Sequence, residues 1–576
     1  MTSSPVERHA EGAVDQAGDA VFEWRRGSPS LLVHRGGQTT TYPAAQDRAL
    51  WGAGVLSDGR ALADWQADHR ECGPAAASRL LGPFAAVLWD AVRRNFVLVR
   101  DRAGTYGIHW MRRGDVLLLS PSLDSLLPDS GGMPVPDVTA AARHLHGIAP
   151  PPGSTFVDGI AAVEPATVVE VDVERIRATR YWTLEPTARL RLATDLDYAE
   201  ALRALLDDIV PQYASPGRAG ITLSGGLDST TVAAILASRA STELEAVSWS
   251  APDVPTADEA DRSSLVAERL GIPMRRVRAD RWLPWSSAVT AGRAAAWRPY
   301  GLFAELLDAT FVQLARSGLE VAFTGVPGDP LFGNSINPAP DLLLTRQWRR
   351  MRTELEAQAR IFGLSRATAL RRRLIGPIAH TYVRTWARGR AATPDPIAWL
   401  ADGLRAEWPD LARQPSPAPR QVLLPGRRDR FRDLVHPFQT HTLENLTRHA
   451  HSHGIDLRHP LSDHRLVEFA ACLPTEQATY QGVDKHVVRL AMQPLLPSAI
   501  VDRPWKTVQT DLMHAGLRGP GRRSVVELAT DMALAAAGVV DEARFRRVCD
   551  DYLAGRHDEL AFCHTLALEE WIRERW

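Results

Sequence analysis

The sequence predicts an α/β protein in two parts, a β-rich N-terminal part followed by a larger part in which strands and helices alternate. Three observations carry this. Short apolar or β-branched runs separated by turn residues fill the chain to about Thr183. From Asp195 amphipathic helices alternate with such runs, the pattern of a parallel sheet. Ala219–Leu223 then leads straight into Ser224-Gly225-Gly226-Leu227-Asp228-Ser229 and a helical stretch, which is strand, glycine turn and helix in succession.

Taken in order, Phe84–Trp89, Phe96–Arg100, Val116–Ser120 and Thr167–Val173 read as strands, with turns at Arg93–Asn95, Arg113–Asp115 and Pro150–Gly153. Asp137–His146 reads as a short helix. Tyr198–Val210 opens the second part as an amphipathic helix. Leu244–Ser250 is a second strand there, and Asp258–Leu270 the helix after it. Glu320–Phe323 is a later strand and runs into a second glycine-rich turn, Thr324-Gly325-Val326-Pro327-Gly328-Asp329 and on to Gly333. Residues 337–430 are rich in Arg and Pro, with helical stretches at Trp348–Ile361 and Ala367–Arg388. From Leu434 the chain reads as mainly helical.

Composition bounds the function. The 576 residues are 45% hydrophobic and 23% charged, ordinary for a globular protein. Lys+Arg is 67 and Asp+Glu is 68, so the chain has no overall attraction to nucleic acid or anionic lipid, and neither is expected as a partner. Cys72, Cys472, Cys549 and Cys563 form no CxxC pair, which argues against a zinc site or disulfide scaffold built on them and for a reducing cytoplasm. The polar segment Met1–Asp15 does not resemble a signal peptide.

Lysine is the informative count. Lys485 and Lys506 are the only two lysines, so 65 of the 67 basic residues are arginine. Arg can replace Lys on most solvated surfaces, but not where a compact ammonium is required. Each lysine is therefore a candidate for a specific role.

The Ser224–Ser229 turn suits an anion. Gly225 and Gly226 allow unusual backbone angles, amides at the helix start point outward, and Ser224 and Ser229 add hydroxyl donors. Asp228 would repel a bare phosphate, so its presence calls for a divalent cation between them. The bland alternative is a capped strand-to-helix turn. A second glycine turn bearing Asp329, at another strand end, fits a metal–pyrophosphate pocket.

The first turn resembles the PP-loop of enzymes that split ATP into AMP and pyrophosphate; no Walker GK[ST] follows it. With both turns present, the chain resembles the asparagine synthetase superfamily over nearly all of its length. Leu81–Ala85 and Val99–Gly104 resemble stretches of that family's N-terminal glutaminase-like domain, and Gly159–Tyr181 its closing hairpin. Arg458–Asp463 is similar to a further family motif. Lys485 lies in a stretch like the family's K-x-x-L-R, and Arg503–Lys506 resembles the segment with its catalytic lysine. The resemblance implies an Ntn-hydrolase-like β-rich domain over residues 1–190 and a PP-loop α/β synthetase domain over 191–576, with a helical insertion at 337–430. It implies Mg²⁺ on Asp228 and Asp329, and ATP against Leu223, Ser224, Gly225, Gly226, Asp228, Ser229, Ser248, Gly325 and Lys485. Catalysis falls to Lys506 and Glu444, with His459 assisting.

Departures from the family pattern bear on the substrate. Glutamine-dependent members carry a Cys nucleophile at position 2, where this chain has Thr2, so the amine is expected from the substrate itself. That points to β-lactam synthetases and lasso peptide cyclases. The former carry a Tyr–Glu dyad; the Tyr position is Val326 here, while Glu444 matches the Glu. The insertion, with Arg349, Arg350, Arg352, Arg371, Arg372, Arg373, Trp348 and Trp386, offers a surface that a peptide needs and a small amino acid does not. The expectation is an ATP-dependent lasso peptide cyclase acting on a leader-free core peptide. A leader peptidase and a peptide-recognition protein are the expected partners. Alternatives are a small-molecule β-lactam or amide synthetase, an amidotransferase without glutaminase activity, an RNA-acting PP-loop enzyme or a non-catalytic scaffold.

Overall fold

The computed structural model describes residues 20–35, 38–46, 48–54, 62–127, 136–148, 150–151, 153–185, 189–239, 241–286, 303–333, 336–384, 395–412, 424–503, 507, 509–556 and 560–573. Thr2, Trp386 and Lys506 lie outside the described residues.

Among the described residues, eleven strands build the N-terminal part: β1 Ala20–Arg25, β2 Ser30–Arg35, β3 Gln38–Pro43, β4 Arg48–Gly54, β5 Phe84–Asp90, β6 Asn95–Arg100, β7 His109–Arg113, β8 Val116–Ser120, β9 Ile160–Ala162, β10 Thr167–Val171 and β11 Ile176–Arg180. They form two antiparallel sheets, ordered β3-β2-β1-β8-β7-β9 and β11-β10-β6-β5-β4. The sheets share a core of Phe22, Trp24, Leu31, Trp89, Phe96, Leu98 and Leu117. Strand β1 alternates buried and half-exposed residues, as a strand with one covered face should. Strand β5 is buried along its whole length. Its second face packs under α1 (Leu62–Cys72) and the turn after it, where Trp65, Ala76 and Leu80 meet Phe84, Ala86 and Leu88.

The second part holds a five-stranded parallel sheet, ordered β14-β13-β12-β15-β16, from β12 Gly217–Thr222, β13 Thr242–Ser250, β14 Met274–Arg278, β15 Val321–Phe323 and β16 Asp456–Arg458. The strand order reverses between β12 and β15, and a crevice opens at such a switch point, beyond the carboxyl ends of the strands. Both glycine turns leave the sheet there. Helices α3 Asp195–Gln212, α4 Leu227–Arg239 and α5 Ala260–Leu270 share one core with this sheet, through Leu202, Ile221, Val232 and Val266. Helix α6 Ala304–Arg316 contributes Leu306, Phe311 and Leu314 to another core with Val247, Ala322 and Leu457. Helix α3 starts at a capping box, with Thr194 and Asp197 satisfying each other's backbone amides.

After β15 the second turn enters α7 Gly328–Phe332, and the insertion begins with α8 Ala339–Leu344 and α9 Trp348–Ile361. The expected long helix over Ala367–Arg388 is a succession of short pieces from Arg366 to Arg384, two of them with π-type bonding. Pro377 lies within this run and has no amide to continue an α-helical ladder. β16 adds a strand in the region read as mainly helical. The Leu560–Arg573 helix packs Phe562 and Trp571 into a core with Tyr552 and with Leu145 of the Val138–Leu145 helix. Among the described residues no helix is long and apolar enough to cross a membrane.

Candidate active site

The Ser224–Ser229 turn is internally braced. Ser224 Oγ and Ser229 Oγ lie 3.0 Å apart, the Ser224 amide donates to Ser229 Oγ at 3.2 Å, and the Gly226 amide donates to Ser224 Oγ at 3.2 Å. Gly225 takes φ +68°, and a Cβ there would stand 2.9 Å from Arg262 Cβ and from the Ser263 amide. Only glycine meets both demands. Asp228 follows in the first turn of α4. The Leu223 amide donates to Val247 O, which sets Leu223 beside Ser248. Ser248 is 1% exposed, and its Oγ has no hydrogen-bond partner among the described residues.

The second turn approaches the first so closely that side chains are excluded. A Cβ on Gly325 would lie 2.4 Å from the Ser229 amide, and one on Gly328 2.2 Å from Asp228 Cγ. This contact brings Asp329 to the same place as Asp228. Between them lies Lys485, whose Nζ is 2.5 Å from Asp228 Oδ2 and 2.6 Å from Asp329 Oδ1. Burial works against the ammonium, but the two carboxylates outweigh it and raise its pKa. Lys485 holds a left-handed backbone, φ +62°, at the start of the His486–Met492 helix, and its amide donates to Ala478 O at 2.6 Å. A non-glycine residue in that region is strained, and strain of this kind concentrates at functional sites.

The three segments predicted from sequence thus meet: Ser224–Ser229, the Gly325–Asp329 turn and Lys485. The ammonium itself shows that the Asp228–Asp329 gap accepts a cation, so the donor set fits a divalent ion held by carboxylates. The resemblance implies ATP against Lys485, and in the structure its ammonium bridges Asp228 and Asp329.

Glu444 is held in a buried ion pair. Its Oε2 accepts from Arg100 Nη2 at 2.6 Å, and its Oε1 is 3.7 Å from His109 Nε2. Burial would raise its pKa, but Arg100, His109 and His441 outweigh this and hold it below the ordinary range. Arg100 also donates to Val163 O and Gly104 O. Glu444 is therefore a charged link between the Pro437–His451 helix and the N-terminal sheets, and a weak base there. His459 is committed as well. Its Nδ1 is 2.7 Å from Thr324 Oγ1 and its Nε2 is 3.0 Å from Thr447 Oγ1, and burial pushes it down to about 3.

Two arginines stand beside the phosphate turn, and of these the sequence motifs mark only Arg503. Arg262, against the phosphate turn, and Arg503 both donate to Thr507 Oγ1, at 2.7 and 2.9 Å. Their charges approach each other, and burial, with Arg262 nearby, lowers the Arg503 pKa. Arg262 does not stand out in a chain with 65 arginines, so frequency hides it.

The insertion borders this centre. Glu354 of α9 accepts from the Gln481 amide, and Arg350 lies 4.9 Å over the Tyr480 ring while pairing with Asp195. Tyr480 and Gln481 belong to the hairpin that leads into Lys485. The insertion's outer surface exposes Trp348, Phe362, Leu370, Ile375 and Tyr382.

Comparison with known proteins gives the lineage. The pattern described as asparagine synthase matches residues 201–573, and that described as glutamine amidotransferase domain matches residues 65–182. A Bacillus subtilis asparagine synthetase (glutamine-hydrolyzing) is 28% identical over 184 residues, 30% of this chain and 27% of that protein. The amidase chyE of Penicillium rubens is 23% identical across 88% of this chain and 80% of its own length. A putative asparagine synthetase (glutamine-hydrolyzing) of Mycobacterium tuberculosis is 24% identical across 87% and 77%. The two-sheet part is accordingly an Ntn-hydrolase-like domain, and the parallel-sheet part an asparagine-synthetase-like α/β domain. The chain belongs to the asparagine synthase family, ATP-dependent ligases that form carbon–nitrogen bonds.

Proposed function

We propose that this protein closes a peptide macrolactam, as a lasso peptide cyclase does. A side-chain carboxylate of the peptide attacks the α-phosphorus of ATP and pyrophosphate leaves. The peptide's α-amine then attacks the acyl carbon, AMP leaves and the amine loses a proton. The Ser224–Ser229 amides and hydroxyls bind phosphate oxygens. Leu223 and the buried Ser248 hydroxyl receive the adenine. Mg²⁺ would be held by Asp228 and Asp329 and would stabilise charge on the departing pyrophosphate. Arg262 and Arg503 supply positive charge on the same side. Lys506, three residues after Arg503, stabilises the tetrahedral oxyanion.

The observation that supports a peptide over a small substrate is the insertion. It abuts the hairpin that carries Lys485, and it turns apolar side chains and the exposed Arg349, Arg371 and Arg372 outward. Exposed apolar side chains with basic neighbours suit an extended polypeptide.

The test is incubation with MgATP and the core peptide of a short precursor encoded beside this gene. The expected result is loss of one water from the peptide, with AMP and pyrophosphate in equal amounts. Formation of ADP, or turnover of free amino acids but not of the peptide, would overturn the reading.

A further inference from the structure

Away from the phosphate turns, Asp308 of α6 meets two histidines of the Pro437–His451 helix and its end. His449 Nε2 is 2.6 Å and His453 Nε2 2.8 Å from the same oxygen, Asp308 Oδ1. Both imidazoles present the same ring nitrogen, and all three ligand atoms lie within 4.8 Å of one another. The two histidines are four residues apart, the spacing that puts side chains on one helix face. His449 and Asp308 are buried, while His453 is 22% exposed and gives a route from solvent. We propose that Asp308, His449 and His453 form a binding site for a transition-metal ion of the zinc class, separate from the Asp228–Asp329 centre.

Three physical arguments carry this. Two imidazole nitrogens and one carboxylate oxygen within 4.8 Å of one another are a donor set for zinc, with a fourth position left for water. Zinc–ligand bonds of about 2.0–2.1 Å set tetrahedral ligand atoms roughly 3.3 Å apart, so the two imidazole–carboxylate edges need to open by about half an ångström. The site also lies at a helix C-terminus, where the partial negative charge of the last carbonyls favours a cation.

The site would tie α6 to the Pro437–His451 helix. Helix α6 leads into β15 and the Gly325–Asp329 turn. The other helix carries Glu444, which reaches the N-terminal sheets, and Thr447, which reaches His459 and through it Thr324. A metal here would brace both approaches to the active site without touching the substrates.

The experiment uses the full chain, free of any histidine tag and stripped by chelator, titrated with Zn²⁺ against a chromophoric chelator and with Co²⁺ by visible absorption. The expected result is one tight equivalent of Zn²⁺ and a four-coordinate Co²⁺ spectrum. Asp308→Asn and His453→Gln should each weaken Zn²⁺ roughly tenfold or more, since even supporting groups around a metal cost that much. Asp329→Asn should leave Zn²⁺ binding unchanged. Because His453 is partly exposed, His453→Gln is the variant that keeps its fold, checked by circular dichroism. The proposal is overturned if the wild type binds no stoichiometric Zn²⁺, if both cluster variants bind as tightly as wild type, or if Asp329→Asn abolishes binding.

Discussion

An ammonium between two carboxylates joins three segments far apart in the chain, and Lys485 does this from a left-handed backbone. Removing it leaves Asp228 and Asp329 facing each other without the counter-charge. Lys485→Ala should lose roughly 1–3 kcal/mol of stability, below the roughly 3–5 kcal/mol of a fully buried pair because Asp329 is 36% exposed. Mg²⁺ should restore more of that loss in the variant than it adds to wild type. Melting curves with and without Mg²⁺ read both effects, and equal Mg²⁺ shifts would remove the cation competition. Lys506 is predicted on different grounds. If it follows charge from the α-phosphate to an oxyanion, Lys506→Arg should fold and bind ATP yet cyclise about 10²–10³-fold more slowly. Near wild-type product formation, followed by mass spectrometry, would take it off the catalytic list.

Among the elements, those with strong local patterns were legible in sequence. Leu227–Arg239 follows a glycine turn, Val116–Ser120 is a clean apolar run, and Trp348–Ile361 has the helical period; all three appear at or near the expected limits. Strands β1–β4 and β7 have no counterpart among the expected elements; of these, QTTTYP and RALWGAG carry little apolar alternation and gain their order from neighbours. Long-range pairing hides in the same way. Nothing near Glu444 in sequence announces Arg100, 344 residues away, and a match to a family position carries no sign of this ion pair. In the insertion, the arginine cluster divides once packed. Arg373 donates to Gln358 at 2.8 Å and lies 4.7 Å over the Phe362 ring, so it belongs to the scaffold. Arg371 and Arg372 face solvent. Arg371→Glu with Arg372→Glu should weaken peptide binding several-fold and leave ATP binding unchanged, whereas Arg373→Glu should lower the melting temperature. Paired titrations with peptide and nucleotide separate these outcomes, and equal losses for both ligands would return the surface to plain solvation.

Across the whole molecule, the N-terminal sheets are fastened to the synthetase part by a buried ion pair. Gly104 and Gly107 pack so closely there that a Cβ would lie 2.8 Å from Thr440 and 2.2 Å from Glu444. Breaking such a pair strands a charge and costs about 3–5 kcal/mol, while replacing both partners with apolar groups is often neutral. Glu444→Leu alone should thus be far more damaging than Glu444→Leu with Arg100→Met, by urea unfolding. A double variant that is stable but cannot cyclise would show that the charge acts on the chemistry as well as on the interface.

The same burial governs the response to acid. Desolvation pushes His109, His146, His441 and His564 down to about 4, and His459 to about 3, against an ordinary 6.5. Between pH 6.5 and about 4 the unfolded chain binds protons at these five positions and the folded chain does not. Stability therefore rises with pH through that window and is lost as pH falls. Asp341 works the other way. Burial raises it to about 6, so the folded state alone keeps its proton between about 6 and the ordinary 3.8. With His69, His436 and His464 also pushed down, and Asp101, Glu354, Asp429 and Asp433 also pushed up, eight histidines stand against five carboxylates, and the histidines set the sign. A single group contributes at most about 1.4 kcal/mol per pH unit, so the measured slope between pH 6 and 5 should exceed that value. Urea midpoints at pH 7, 6 and 5 test it. A flat profile over that range would mean that the histidines reach water in the folded protein, and with it that the His459 link between Thr324 and Thr447 is not held dry.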